Sequence, residues 1–230
     1  MKKKLVILTG AGMSAESGIS TFRDAGGLWE GHNVMEVASP EGFAKDPELV
    51  LEFYNQRRKN VREAEPNAGH IFLASLEEHF DVSIITQNVD DLHERGGSTH
   101  ITHLHGEIRK AESTGAPSWI IDLGDKDIEL GDLCKYGHQL RPHIVWFGEA
   151  VPKMEDAVQE VHAADILLVI GTSLQVYPAA GLLSYAKPHT KRILVDPKAQ
   201  EMDLPKGVEP INDTAVGAID RLKELLMNSL

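Results

Sequence analysis

Cysteine is almost missing from this chain: 230 residues carry one, Cys134. A disulfide within the chain needs two thiols, so an internal disulfide framework is excluded, and so is a zinc site built from cysteines alone. Long apolar runs are missing as well. Nothing approaches the roughly 20 apolar residues of a membrane-crossing helix, so no membrane partner is expected. Basic charge is scarce. Lys and Arg number 23 against 35 Asp and Glu, a formal net charge of −12. Nucleic acid and anionic lipid are held through clustered Lys and Arg, so neither is an expected partner. Basic segments of other proteins suit such a surface better. Internal repeats and low-complexity tracts are absent too.

What is present is a core. Hydrophobic residues make up 42% of the chain, and its length suits one domain of ordinary size or a large lobe with a smaller insert. The opening "MKKKLVILTGAG" sets basic residues before an apolar run, as a secretion signal does. That run covers only Leu5 to Leu8 before a glycine turn, so it reads as a first strand and the protein as cytoplasmic.

Short apolar, β-branched runs mark strands at 4–9, 81–86, 100–105, 143–147, 165–171 and 192–196. Most are continuous rather than alternating, which suits a parallel sheet covered on both faces. Helical patterns lie between them. One runs from Asp46 and Pro47 to Ala64, and another starts at Asn67. "MEDAVQEVHAA" and "PAAGLLSYAK" flank the strand at 165–171, and the last pattern closes the chain with Leu222, Leu225 and Leu226 on one face. This alternation defines an α/β fold, a Rossmann-like doubly wound parallel sheet. Residues 32–70 and 109–142 break the alternation and read as insertions that build a small lobe. Residues 1–31, 71–108 and 143–230 are left to the large one.

The candidate site residues cluster at strand ends. Gly10, Gly12 and Ala15 follow the first strand as G-x-G-x-x-A, a spacing that allows a tight turn and close approach to a pyrophosphate at a helix N-terminus. The acid that usually ends a second strand is missing, and the loop "STFRDAGGLWEGHN" stands in its place. Gly171, Thr172 and Ser173 end one later strand and Asp196 another, Asp196 being equally readable as a turn residue before Pro197. Gln87, Asn88 and Asp90 follow the strand at 81–86, where they can fix a carboxamide, a ribose hydroxyl or a water, or simply cap a helix. "THITHLHGEI" holds His100, His103 and His105. On a strand the last two share a face, so a metal site and a single catalytic base are both open on spacing.

In order along the chain, "GAGMSAESGISTFRDAGGLW", "TQNVDDLHERGG", "HLHG", "RPHIVWFGE" and "GTSLQVYPAAGLL" resemble the sirtuins, NAD-dependent protein lysine deacylases, over nearly the whole length. The resemblance implies that His105 is the general base and leaves His103 and His100 as structural or surface histidines. It implies NAD across the sheet, with Gly10, Ala11, Gly12, Ser14 and Ala15 near the phosphates. Phe22 and Arg23 would guard the reaction centre, and Gln87, Asn88 and Asp90 would shape the nicotinamide and ribose pocket. Gly171, Thr172, Ser173 and Asp196 would hold the adenosine side, although many sirtuins have Asn at the last position. The implied reaction starts with the acyl oxygen attacking the ribose as nicotinamide leaves. His105 then takes a proton from a ribose hydroxyl, and O-acyl-ADP-ribose and free lysine result. The acyl-lysine peptide would add a strand beside Val145, Trp146, Phe147, Gly148 and Glu149.

Tyr54 and Arg57 share a helix face and resemble the Tyr-x-x-Arg pair of sirtuins that act on succinyl, malonyl or glutaryl groups, a guanidinium fork suiting a carboxylate. Ala25 matches a small residue that leaves the acyl pocket open. The four cysteines that hold a structural zinc in most sirtuins are not matched. Cys134, His138 and His143 supply at most three donors, so no zinc is expected, and Trp119, Ile120, Ile121 and Leu123 are expected to form that lobe's core instead. A mono-ADP-ribosyltransferase on the same NAD site is the alternative activity. A sensor of NAD without turnover and a dehydrogenase rank lower, since the base is present and no hydride-transfer site is. A monomer is expected.

Overall fold

The run KLVILT becomes strand β1 (Lys4–Thr9), buried along nearly its whole length because helices cover both of its faces. The computed structural model describes residues 2–21, 28–172, 174 and 176–230. After β1 come a single helical turn α1 (Gly12–Ala15) and a small hairpin, β2 (Leu28–Trp29) with β3 (His32–Asn33). Three helices follow: α2 (Val34–Val37), α3 (Pro40–Lys45) and α4 (Pro47–Glu63). The chain continues through α5 (Ala68–Ser75), β4 (Asp81–Thr86), α6 (Leu92–Arg95) and β5 (Ile101–His103). A separate sheet is then built from β6 (Gly106–Ser113), β7 (Ala116–Asp122) and β8 (Leu140–Ile144). Last come α7 (Met154–Ala163), β9 (Ile166–Ile170), β10 (Lys191–Val195), β11 (Val208–Ile211) and α8 (Ile219–Met227).

The main sheet has six strands in the order β11-β10-β9-β1-β4-β5, all parallel. Side chains alternate across it. Leu5, Ile7, Ile84, Leu168 and Ile193 pack with Leu73, Leu222 and Leu226 on one face. Val6, Leu8, Ile85, Leu167 and Leu194 pack with Val161 and Leu182 on the other. The doubly wound α/β fold read from the sequence is the fold observed.

Local chemistry sets the helix ends. Asp46 caps α4 by accepting from the Leu49 amide at 3.0 Å, with Pro47 in its first turn. Asn67 and His70 cap α5 reciprocally: Asn67 Oδ1 accepts from the Gly69 and His70 amides, and His70 Nδ1 accepts from the Asn67 amide.

Several expectations are corrected. The strand placed at 143–147 lies at Leu140–Ile144 and pairs antiparallel with β6. The strand placed at 100–105 stops at His103, because the chain turns at Gly106, where φ is +84° and a Cβ would collide with the His143 carbonyl. "PAAGLLSYAK" forms a 3₁₀ turn, Ala179–Tyr185, rather than an α-helix. Residues 109–142 hold most of the antiparallel sheet. Under it lies an apolar cluster of Leu51, Ala111, Leu123, Ile128, Cys134 and Leu140, with Trp119 and Ile121 packed against it. Ile120, expected in that core, is exposed instead.

Candidate active site

The chain runs from β1 to β4 and β5 on one side, then returns to place β9 on β1's other side. The crevice between the carboxyl ends of β1 and β9 is thus the switch point where open α/β sheets take ligands. Gly10 to Ala15 leave β1 there and Gly171 and Thr172 leave β9, with Gln87 to Asp90 leaving the neighbouring β4. The first two turns touch. The Gly12 amide donates to the Gly171 carbonyl at 2.8 Å, a Cβ on Gly10 would stand 2.7 Å from the Thr172 Cβ, and Gly171, at φ +67°, has no room for one against the Met13 amide. The glycines are therefore required first by turn-to-turn packing. One expectation is corrected here: α1 is a single turn. The amides of Gly12, Met13 and Ser14 are bonded to Gly171, Gly10 and Ala11. Ala11 and Gly12 remain half-buried at the crevice and Ala15 is exposed.

A buried polar chain fills the floor. Asn88 Nδ2 donates to Ser14 Oγ at 3.1 Å, and Ser14 Oγ donates to Asp90 Oδ2 at 3.0 Å. Gln87 Nε2 donates to Thr172 Oγ1 at 3.0 Å, tying β4's end to β9's. Burial pushes the Asp90 carboxyl above its ordinary value, and the Leu92 amide and Ser14 hydroxyl oppose that shift.

His105 projects from the turn after β5. Gln87's carbonyl can only accept, so His105 Nδ1 carries the proton in their 3.0 Å bond, and Nε2 is the open nitrogen, with no partner among the described residues. Burial pushes its pKa below the ordinary histidine value, the bond to Gln87 opposing, so the ring is neutral at neutral pH. His103 has a structural part. Its Nδ1 donates to the Asn88 carbonyl at 3.1 Å and its Nε2 meets Glu94 at 2.8 Å, so it holds the backbone of a site residue. Glu94, His103 and Glu107 are also the one group of three potential metal donors among the described residues. Each is already engaged, Glu107 by Lys110 at 2.7 Å, and His100 and His105 lie outside the group. The sequence signal for His103 was its shared strand face with His105.

Tyr54 and Arg57 both lie on α4. Tyr54 is fully buried. Its phenolic oxygen accepts from Trp146 Nε1 at 3.0 Å, leaving its own proton to donate. Burial pushes the phenol well above its usual range, so it stays protonated. The Arg57 guanidinium lies 4.2 Å from the centre of the Trp29 ring.

The segment Val145–Glu149 is corrected from a strand edge to a pinned turn. The Val145 amide donates to His105 O, Phe147 to Ala38 O and Glu149 to Trp146 O, and the Trp146 amide is taken by Glu149 Oε2 at 2.8 Å. Those four amides are thus held within the chain, and Trp146 is buried against Tyr54, while Phe147 and Gly148 are exposed. Arg141, which the sequence did not single out, holds Glu149 through 2.6 and 3.0 Å bonds and stacks 3.4 Å over Trp146. Asp196 Oδ1 caps its own turn on the Lys198 amide at 2.8 Å, the turn reading of that residue. Phe22, Arg23, Ala25 and Ser173 lie outside the described residues.

The zinc donors considered from sequence do not gather among the described residues. Cys134 Sγ accepts from Ser113 at 3.2 Å inside the apolar cluster, the His138 ring packs on Gly115, and His143 Nδ1 meets Glu112 at 2.6 Å. A four-donor tetrahedral site does not fit these residues.

A crevice at the switch point, walled by buried amide, hydroxyl and carboxyl groups and faced by a neutral imidazole, defines an α/β enzyme site for a nucleotide. The profile of the Sir2 family matches residues 10–178. The NAD-dependent protein deacylase of Helicobacter pylori strain ATCC 700392 / 26695 is 56% identical over 225 residues, spanning 98% of this chain and 98% of that one. Among solved structures, a Sir2 homologue mutant in complex with ADP-ribose superposes with a TM-score of 0.89 at 39% identity, covering 99% of this chain and 93% of that one. Sir2Tm bound to a propionylated peptide gives a TM-score of 0.80 at 29% identity, over 98% and 94% of the two chains. The chain belongs to the Sir2 family and is a sirtuin-type enzyme.

Proposed function

We propose that this sirtuin is an NAD-dependent protein-lysine deacylase that removes carboxylate-ended acyl groups, succinyl and malonyl, as well as acetyl. The observation that carries deacylation is His105, neutral, fixed through Nδ1 on Gln87 and open at Nε2 beside the Asn88–Ser14–Asp90 chain. The residues fit NAD. Asn88 and Asp90 offer amide and carboxyl groups suited to a carboxamide and ribose hydroxyls, and His105 offers a base for a hydroxyl proton. NAD supplies the ribose that takes the acyl group and nicotinamide as the leaving group. The protein positions that ribose and removes its hydroxyl proton, and with one water consumed the products are O-acyl-ADP-ribose, nicotinamide and free lysine.

The acyl preference rests on Arg57 and Tyr54. A guanidinium that is nearly buried, backed by an aromatic ring and beside a phenol with a proton to give, is a receptor for a carboxylate. Basic, acyl-lysine-bearing peptides are the expected partners of a chain with a net charge of −12. Zinc is absent from the same reading, the apolar cluster around Cys134 taking its place.

Deacylation of matched acetyl-, malonyl- and succinyl-lysine peptides, followed by mass spectrometry with NAD, tests this. Arg57→Met is expected to lower the succinyl-to-acetyl ratio of kcat/KM at least about tenfold, roughly 1.4 kcal/mol. His105→Tyr is expected to lose activity on all three. NAD consumption without deacylated peptide would instead indicate ADP-ribosyl transfer. Acetyl removal alone would return Tyr54 and Arg57 to a structural role.

A further inference from the structure

Arg57 already holds a carboxylate, and it belongs to the chain itself. Arg57 Nη1 lies 3.3 Å from Glu30 Oε1. Glu30 and Gly31 form the two-residue loop of the β2–β3 hairpin, in which Trp29 pairs with His32. Both loop residues have positive φ, 51° and 83°. Such loops favour Asn-Gly or Gly-Gly, because a residue with a longer side chain is strained in the left-handed region. Glutamate there is the costlier choice, and a retained outlier points to use. Its use is visible. One hairpin supplies both the ring under the Arg57 guanidinium and the carboxylate beside it.

The pairing is loose. Charge-assisted bonds from guanidinium to carboxylate run at about 2.7–2.9 Å and are often paired, whereas this one is single and long. Arg57 Nε is buried and has no hydrogen-bond partner among the described residues. The Glu30 side chain is one-third exposed at 33%, against 10% for Arg57, so it can swing to water while the arginine cannot. A buried guanidinium left without a counter-charge is costly. Glu30 removes that cost in the empty enzyme, and a substrate carboxylate would remove it in the complex.

We propose that Glu30 is a specificity-determining residue, an internal carboxylate on Arg57 that an acidic acyl chain must displace and an acetyl group leaves in place. The proposal rests on the reading of Arg57 as the acyl-carboxylate receptor. It accounts for one pocket accepting two kinds of acyl group. With succinyl-lysine the incoming carboxylate replaces Glu30. With acetyl-lysine, Glu30 keeps the guanidinium neutralised.

Steady-state kinetics on succinyl- and acetyl-lysine peptides with Glu30→Gln, Glu30→Asn, Arg57→Met and the Glu30→Gln/Arg57→Met double variant test it. Asparagine suits the left-handed loop, so Glu30→Asn keeps the hairpin while removing the charge. Both single Glu30 variants are expected to lower the succinyl KM and raise the succinyl-to-acetyl ratio by about five- to tenfold, since a competing charge is gone. The double variant is expected to match Arg57→Met, because Glu30 acts only through Arg57. If Arg57→Met leaves the ratio unchanged, the acyl-pocket reading fails and this proposal with it. If Arg57→Met collapses the ratio but neither Glu30 variant lowers the succinyl KM, the receptor stands and Glu30 is overturned. Equal gains on both peptides would also overturn it.

Discussion

His103 and His105 stand two residues apart, and each donates an Nδ1 proton to a main-chain carbonyl of the loop after β4. Their second nitrogens differ. His103 spends Nε2 on Glu94, while His105 keeps it open. A base whose pKa burial has lowered works when neutral, so the acid limb of its rate profile moves down in pH. We expect kcat/KM on an acetyl-lysine peptide to hold steady below the ordinary histidine pKa of about 6.5 and fall only at lower pH. A limb at or above that value would show that the ring is not held neutral by its surroundings. At this scale much was legible in the sequence. A glycine turn, an amide–acid loop and a histidine two positions after another are short-range patterns, and the structure joins Gln87, Asn88, Asp90, Ser14 and Thr172 by direct bonds. The partners Glu30 and Arg141 were not legible. Each acts on a residue 27 or 8 positions away through a fold that spacing alone does not describe.

At the scale of elements, legibility followed burial. β1, β4, β9 and β10 are covered on both faces and show as continuous apolar runs. β6 and β7 were hidden. Their inward positions include Gly106, Ala111 and Ser113, which carry little hydrophobic signal beside Ile108, and charged residues such as Glu107, Arg109, Lys110 and Glu112 lie between them. β11 reads "VEPI", and a proline on an edge strand argues against a strand at all. The hairpin β2–β3 is too short for any periodicity. In the antiparallel region, Leu51, Leu123, Ile128 and Leu140 bury apolar surface around Cys134 where the resemblance would place a metal. We expect purified protein to contain substoichiometric zinc by elemental analysis, and a strong chelator to leave its melting temperature unchanged. Stoichiometric metal, or a large chelator-induced drop, would show that other donors hold an ion.

The whole molecule carries an acid weakness in its large core. His70 and His93 are buried with ring centres 4.9 Å apart, and His93 Nε2 bonds Thr9 Oγ1 beneath the main sheet. Burial holds their pKa values down to about 4 and about 3. Unfolded histidine titrates near 6.5, so below that pH the unfolded chain binds more protons than the folded one. Stability is therefore full above pH about 6.5 and is lost as pH falls toward about 4, at up to about 1.4 kcal/mol per pH unit for each ring. Urea unfolding at pH 7.5 and 5 should show a fall of a few kcal/mol, and His93→Gln should shrink that difference. A midpoint independent of pH over this range would refute the buried-neutral assignment. The chain has three tryptophans, and two of them, Trp29 and Trp146, lie against guanidinium groups at 4.2 and 3.4 Å. Trp29 lies directly under the guanidinium of Arg57, with Glu30 next in the chain. An indole's excited state feels nearby charge, so if Arg57 receives the acyl carboxylate as proposed, its exchange for Glu30 would change the protein's own emission, and the unlabelled enzyme would carry an optical probe of that exchange.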